Sequence, residues 1–172
     1  MVDKLGQTGN VTVCDINASM LEVGRKRSTN LGDKQYQMSW AVGDAQNLEF
    51  ENDTFDAYTI AFGIRNVVDI NKALREAYRV LKPGGRFLCL EFSHVENALI
   101  EQAYSFYSFQ VIPPMGQVLA GDWDSYQYLV ESIRRFPLQD DFSDMIRDAG
   151  FSCVTHENLS FGVAAIHSGF KL

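Results

Sequence analysis

Four apolar, strand-like runs in this sequence each end in side chains capable of chemistry. Asp15 closes Val11-Thr12-Val13-Cys14. Asp44 and Ala45 follow residues 38–42 and Gly43. Arg65 and Asn66 follow residues 55–62 and Gly63, and His94 lies just past residues 86–92. In an open α/β sheet, ligands bind outside the carboxyl ends of the strands, so these four places are where a site is expected. A carboxylate at 15 can accept both hydroxyls of a ribose, or it can cap the helix that follows, a job Asn17 or Ser19 can also do. An acid at 44 can accept from an adenine amino group while a neighbouring amide donates to a ring nitrogen, although turns also use Gly-Asp-Ala routinely. Two such acids, one strand–helix unit apart, point to an adenosine-type ligand, with Ile16 and Met20 packing on its base or simply on the core.

Arg65 is a permanently charged, forked donor. It suits stabilising a phenolate or enolate and is a poor general base; the competing reading is an ion pair with a nearby acid. Gly63 permits close backbone approach. His94 can accept a phenolic proton near neutral pH, or face solvent on a loop. Glu91, inside an apolar run, either contacts substrate or caps the next helix. His156 and His167 sit in a terminal hairpin with no Cys or His at metal spacing, so they read as structural and no metal site is expected.

The elements that must hold these groups follow from periodicity. Strands are expected at 11–15, 38–42, 55–62 and 86–92. A helix is expected over 18–30, its basic triplet Arg25-Lys26-Arg27 facing outward at the negative pole. Another is expected over 69–81, where Ile70, Ala73, Leu74, Ala77, Val80 and Leu81 share one face and Pro83-Gly84-Gly85 stops it. Helices over 97–112, 124–136 and 138–149 come next, then strands at 151–159 and 162–170 as an antiparallel hairpin. Strands alternating with helices imply a parallel sheet covered on both faces. The late antiparallel pair distinguishes this from dinucleotide folds that finish parallel. At 172 residues the chain reads as a single domain with a leader over 1–10.

Composition narrows the function. Net charge is −7, with 22 acidic against 15 basic residues, the wrong sign for phosphate contacts, so no nucleic-acid partner is expected. The apolar stretch over 98–120 is broken by Glu101, Pro113 and Pro114. Three widely spaced cysteines in apolar runs read as reduced core thiols. Aromatics crowd between 92 and 136, a first sign of a greasy binding surface.

Phe62-Gly63-Ile64-Arg65-Asn66 and Arg79-Val80-Leu81-Lys82-Pro83-Gly84-Gly85-Arg86-Phe87-Leu88-Cys89-Leu90-Glu91-Phe92-Ser93 resemble the two signatures of the ubiquinone/menaquinone biosynthesis C-methyltransferases. Residues 124–133 and 162–170 are similar to later segments of that family, and Ala120-Gly121-Asp122-Trp123 and Ile133-Arg134-Arg135-Phe136-Pro137 to its eukaryotic, mitochondrial branch. The resemblance implies a class I S-adenosylmethionine-dependent methyltransferase fold, Rossmann-like, with an antiparallel hairpin at its end. It implies S-adenosylmethionine as methyl donor and a polyprenyl benzoquinol as acceptor. By position, Asp15 would hold the ribose and Asp44 and Ala45 the adenine, while Ala61 stands where some relatives place a hydroxyl. Gly63, Arg65 and Asn66 would face the quinol, with Arg65 stabilising the developing phenolate. Tyr104, Tyr107 and Phe109, in an aromatic helical insertion over 97–136, would line the route of the prenyl tail, or pack as core or dimer contact. Implied partners are other quinone-biosynthesis enzymes in a complex and a peripheral membrane contact, on the matrix side of the mitochondrial inner membrane; a homodimer is left open.

One departure shapes the expectation for this chain. The family's fold begins with a strand, a glycine-rich loop and a helix, and here Gly6-Gln7-Thr8-Gly9 precedes the first strand instead of following one. The chain is therefore expected to lack the first strand and that loop, and to bind the donor weakly or not at all. A nicotinamide oxidoreductase is disfavoured because no G-x-G-x-x-G opens the chain. A non-catalytic scaffold in a quinone-synthesis assembly is the other alternative.

Overall fold

The computed structural model describes residues 6, 8–95 and 123–172, so the helix expected over 97–112, with Tyr104, Tyr107 and Phe109, lies outside them. The chain forms two compact units, residues 1–49 and 50–172, each taken here by itself.

In the first unit, β1 (Val11–Asp15) and β2 (Met38–Val42) pair in parallel, from Val11 opposite Met38 to Asp15 opposite Val42. Their β-branched and aromatic residues favour extended backbone. Between them runs α1 (Ala18–Ser28), capped by Asn17, whose side chain accepts from the amides of Ser19 and Met20. Arg25, Lys26 and Arg27 occupy its last turn, where cations complement the carbonyl pole. The α-helix stops two residues before the expected Asn30. The Ser28 and Thr29 hydroxyls donate back to the carbonyls of Arg25 and Lys26, competing with helix continuation. A 3-10 stretch (Thr29–Gln37) completes the connection.

The second unit holds a four-stranded sheet in the order β3-β4-β6-β5. The strands are β3 (Phe55–Ala61), β4 (Leu81–Phe92), β5 (Ser152–Leu159) and β6 (Ala164–Phe170). β3 and β4 are parallel, while β6 runs antiparallel to both β4 and β5. Helix α2 (Ile70–Val80) is capped by Asp69, which accepts from the Lys72 amide. α3 (Trp123–Arg135) and α4 (Gln139–Asp148) follow. Extended backbone in β4 begins five residues earlier than the sequence suggested. The ladder jumps from Phe55 opposite Leu81 to Ala57 opposite Arg86, so Lys82-Pro83-Gly84-Gly85 bulges out of the strand. Gly85 is required there: a Cβ would sit 2.7 Å from the Lys82 carbonyl oxygen.

One apolar row of β4, Phe87 and Cys89, is fully buried against Leu74 and Ala77 of α2 and Phe142 and Ile146 of α4. Burying a large apolar side chain contributes roughly 1.5–3 kcal/mol, and this cluster is the main source of the unit's cohesion. Of the three thiols, all free, only Cys89 is a core residue; Cys14 is half-buried and Cys153 exposed. Among the described residues no helix is long and apolar enough to cross a membrane, and no cluster of metal-ligating side chains occurs.

Candidate functional site

The parallel pairing in the first unit brings the two acids to one sheet end. Asp15 is the last residue of β1, and the Gly43 amide donates to its carbonyl at 3.1 Å, so Asp44 follows directly on the neighbouring strand. The Asp15 Oδ1 accepts from the Asn17 amide at 2.8 Å. It braces the turn into α1 and leaves the capping to Asn17. Its carboxylate is exposed, and Oδ2 has no partner among the described residues. Asp44 is more committed: both its oxygens accept from the Gln46 side chain and Oδ1 also from the Gln46 amide, at 2.9–3.2 Å. Ala45 is half-buried, and Ile16 and Met20 are mostly exposed, at 69% and 59%. Burial and the neighbouring Asp15 charge push the Cys14 thiol pKa up.

In the second unit, β3 ends at Ala61, which is exposed, and the chain turns sharply at Phe62, whose φ is +53°. Gly63 has a negative φ, and a Cβ there would make only ordinary contacts, from 3.7 Å. The residue in the left-handed region is Phe62, not Gly63. Its ring packs on Phe92, centroids 4.7 Å apart. Ile64, 2% exposed, plugs the following 3-10 turn into the core, and Arg65 and Asn66 flank that anchor.

Arg65 is tied down on several sides. Its Nη1 donates to Glu91 Oε1 at 2.8 Å and to the Phe62 carbonyl at 2.7 Å. Its Nε donates to Ser132 Oγ at 3.3 Å, and its Cζ lies 5.4 Å from the Phe92 ring centre. Nη2 has no partner among the described residues. Glu91 continues the row of Phe87 and Cys89, so strand alternation buries it, with its side chain 1% exposed. A charge so placed must be paired. Its carboxylate also accepts from the amides of Phe92 (2.9 Å) and Arg65 (3.4 Å). Glu91 is thus the counterion of Arg65; the helix it was expected to cap lies outside the described residues. Asn66 Oδ1 accepts from the Tyr128 hydroxyl at 3.2 Å. Tyr128 and Ser132, four apart on α3, thus both reach the 64–66 turn.

His94 is fixed through one ring nitrogen and through its own carbonyl. Its Nε2 lies 2.7 Å from the Phe136 carbonyl, and its own carbonyl accepts from the Gln139 side chain at 2.7 Å. These contacts hold it at the corner between α3 and α4. His156 and His167 pair across the hairpin, with His167 Nε2 against the Gln139 carbonyl.

The sequence reading left out Ser132 and Tyr128 and left Glu91 undecided. An acid inside Arg86-Phe87-Leu88-Cys89-Leu90-Glu91-Phe92, with a strand that leads into Arg65 elsewhere in the sequence, was the available signal for the ion pair.

Parallel strands joined by helices, with a final strand running antiparallel, are the architecture of class I methyltransferases. The Haemonchus contortus phosphoethanolamine N-methyltransferase 2 structure, in complex with S-adenosyl-L-methionine, matches with a TM-score of 0.65 at 17% identity, covering 94% of this chain and 43% of that one. The chain belongs to the ubiE/COQ5 methyltransferase family, whose model matches residues 1–171. It is 62% identical over 170 residues to the human mitochondrial 2-methoxy-6-polyprenyl-1,4-benzoquinol methylase, covering 99% of this chain and 51% of the human one. To the mouse protein of the same name it is 63% identical over 161 residues, covering 94% and 49%. The chain thus spans about half the length of the curated relatives it matches.

Proposed function

We propose that this chain carries residues for S-adenosylmethionine-dependent C-methylation of a polyprenyl benzoquinol in ubiquinone biosynthesis. The observation that carries the reading is the FGIRN turn. It presents a guanidinium fixed on one arm and open on the other, beside an amide side chain, at the carboxyl end of a parallel strand pair. In the first unit, the unpartnered oxygen of Asp15 would accept from ribose hydroxyls, and Asp44 and Ala45 would meet the adenine, with Ile16 and Met20 against its faces. Asp15 fits a nucleoside on the strength of that exposed oxygen; Asp44 would have to share or release Gln46. S-adenosylmethionine, when bound, supplies the methyl group. In the second unit Arg65 Nη2 would donate to a quinol oxygen as its charge grows, and Asn66 would orient the ring through its amide N–H. Ala61 would contact the methyl donor, and Gly63 would give the ring room. His94, held by Phe136, would act only through its Nδ1.

The same reading places the protein in mitochondria, on the matrix side of the inner membrane, in peripheral contact with the bilayer and in a complex with other quinone-biosynthesis enzymes, with a homodimer open. The test follows backbone amide signals while S-adenosylhomocysteine, then a tail-less methoxy-benzoquinol kept reduced, is added at millimolar concentration. Shifts at residues 15–20 and 43–46 for the first ligand, and at 62–66 for the second, are expected. Absence of both sets at saturation refutes the reading.

A further inference from the structure

Arg65 is half neutralised before any ligand arrives. Glu91 holds its Nη1 arm at 2.8 Å with the two side chains 9% and 1% exposed. The same carboxylate accepts from the amides of Arg65 and Phe92 and so binds the 64–66 turn to the end of β4. Replacing a buried ion pair by an apolar pair of similar volume is often neutral or stabilising, so the pair is weak evidence for a purely structural role. Two features bear on what the site can accept. The guanidinium cannot swing, because Nη1 and Nε are committed to Glu91, Phe62 and Ser132. And an anion approaching Nη2 meets a pair of near-zero net charge, not a lone cation, at distances where a buried carboxylate still counts.

We infer that Glu91 is a positioning and specificity-determining residue: it aims the Nη2 arm of Arg65 at a neutral quinol oxygen and, by cancelling the Arg65 charge, turns away aromatic carboxylates. This rests on the reading that Arg65 meets the quinol. The neutral substrate loses nothing to Glu91 and gains from a fixed donor. A phenol bearing a carboxylate pays the repulsion of Glu91 without a free cation to offset it.

The test uses the whole 172-residue chain with two probes, tail-less methoxy-benzoquinol kept reduced and 4-hydroxybenzoate, and nitrogen-15-labelled arginine. In the Glu91→Gln protein, quinol binding weakens about tenfold while 4-hydroxybenzoate binding strengthens about tenfold, the scale of one lost or gained charge-assisted contact. Glu91→Asp, which keeps the charge, restores the wild-type order of the two probes. In the wild type, Arg65 Nη1 protons exchange slowly and rotate slowly, and both rates rise at least tenfold in Glu91→Gln. A purely structural role would weaken both probes together, and that outcome overturns the inference, as does unchanged binding of both. Fast-averaging Nη1 protons in the wild type overturn it whatever the variants do. Should neither probe bind wild type or Arg65→Lys while Nη1 is rigid and freed by Glu91→Gln, the positioning stands and the quinol reading of the site is what fails.

Discussion

Removing one member of the Arg65–Glu91 pair should cost far more than removing both. Glu91→Gln keeps the volume and can still accept from the Phe92 amide, but it leaves a buried guanidinium without a counter-charge. Arg65→Met strands a carboxylate whose side chain is 1% exposed. Each single change is expected to destabilise the second unit by about 3–5 kcal/mol, the usual result of breaking a buried pair. In Arg65→Met with Glu91→Leu no charge remains. Ser132 Oγ keeps its own acceptor, the Leu129 carbonyl at 2.8 Å. The part-buried Phe92 amide loses its acceptor, which costs about 1–3 kcal/mol; the Arg65 amide loses only a contact at 3.4 Å, the long limit of a hydrogen bond, and the exposed Phe62 carbonyl turns to water. The double variant should therefore lie only about 1–3 kcal/mol below wild type, with a coupling energy of several kcal/mol between the sites. Urea unfolding followed by circular dichroism, with Phe→Leu at exposed Phe161 as a neutral control, gives the full cycle. Two single changes that each cost under about 1 kcal/mol, or that simply add, would refute the buried-pair reasoning.

Three other outcomes are expected. Burial pushes the His167 pKa down from 6.5, with a contribution from His156; the Gln139 carbonyl and Asp140 oppose it, and its Nδ1 has no partner among the described residues. The unfolded chain therefore binds the proton more readily, so stability is full above about pH 6.5 and falls as pH drops below it, read as a lower urea midpoint at pH 5.5 than at 7.5 and a flatter profile in His167→Gln. Gly162 has φ +95° and a Cβ would fall 2.6 Å from the His94 carbonyl oxygen; Gly162→Ala should lower stability by about 1–3 kcal/mol in the same assay. Cys153 is exposed, whereas Cys89 is fully buried and burial, with the Glu91 charge, raises its pKa far above the ordinary thiol range, so a thiol-specific chromogenic reagent should label Cys153 quickly in the native protein and Cys89 only on unfolding.

Much of the architecture was legible because single residues declared it. The β-branched run at 11–14, the amphipathic face of 70–80 and the Asn17 cap depend on local chemistry alone. The short link between the last two strands gave the antiparallel hairpin, and β6 indeed pairs with β5. What stayed hidden was tertiary. Nothing local says that β6 also lies against β4, or that the Lys82–Gly85 turn bulges within a strand. At the site, residue type marked Arg65 and Asn66, but their partners come from β4 and α3, at sequence separations of 26 to 67 residues. The type of His94 was legible, but the Phe136 carbonyl against its Nε2, 42 residues on, was not.

The place of β6 carries a consequence for biogenesis. This strand is wedged between β4 and β5, yet the ribosome makes it after both. Until residues 164–170 emerge, the growing polypeptide keeps two open hydrogen-bonding borders, each a template for adhesion to a neighbouring nascent molecule. Closure is thus a late, long-range event, and the interval before it is when a chaperone would matter most.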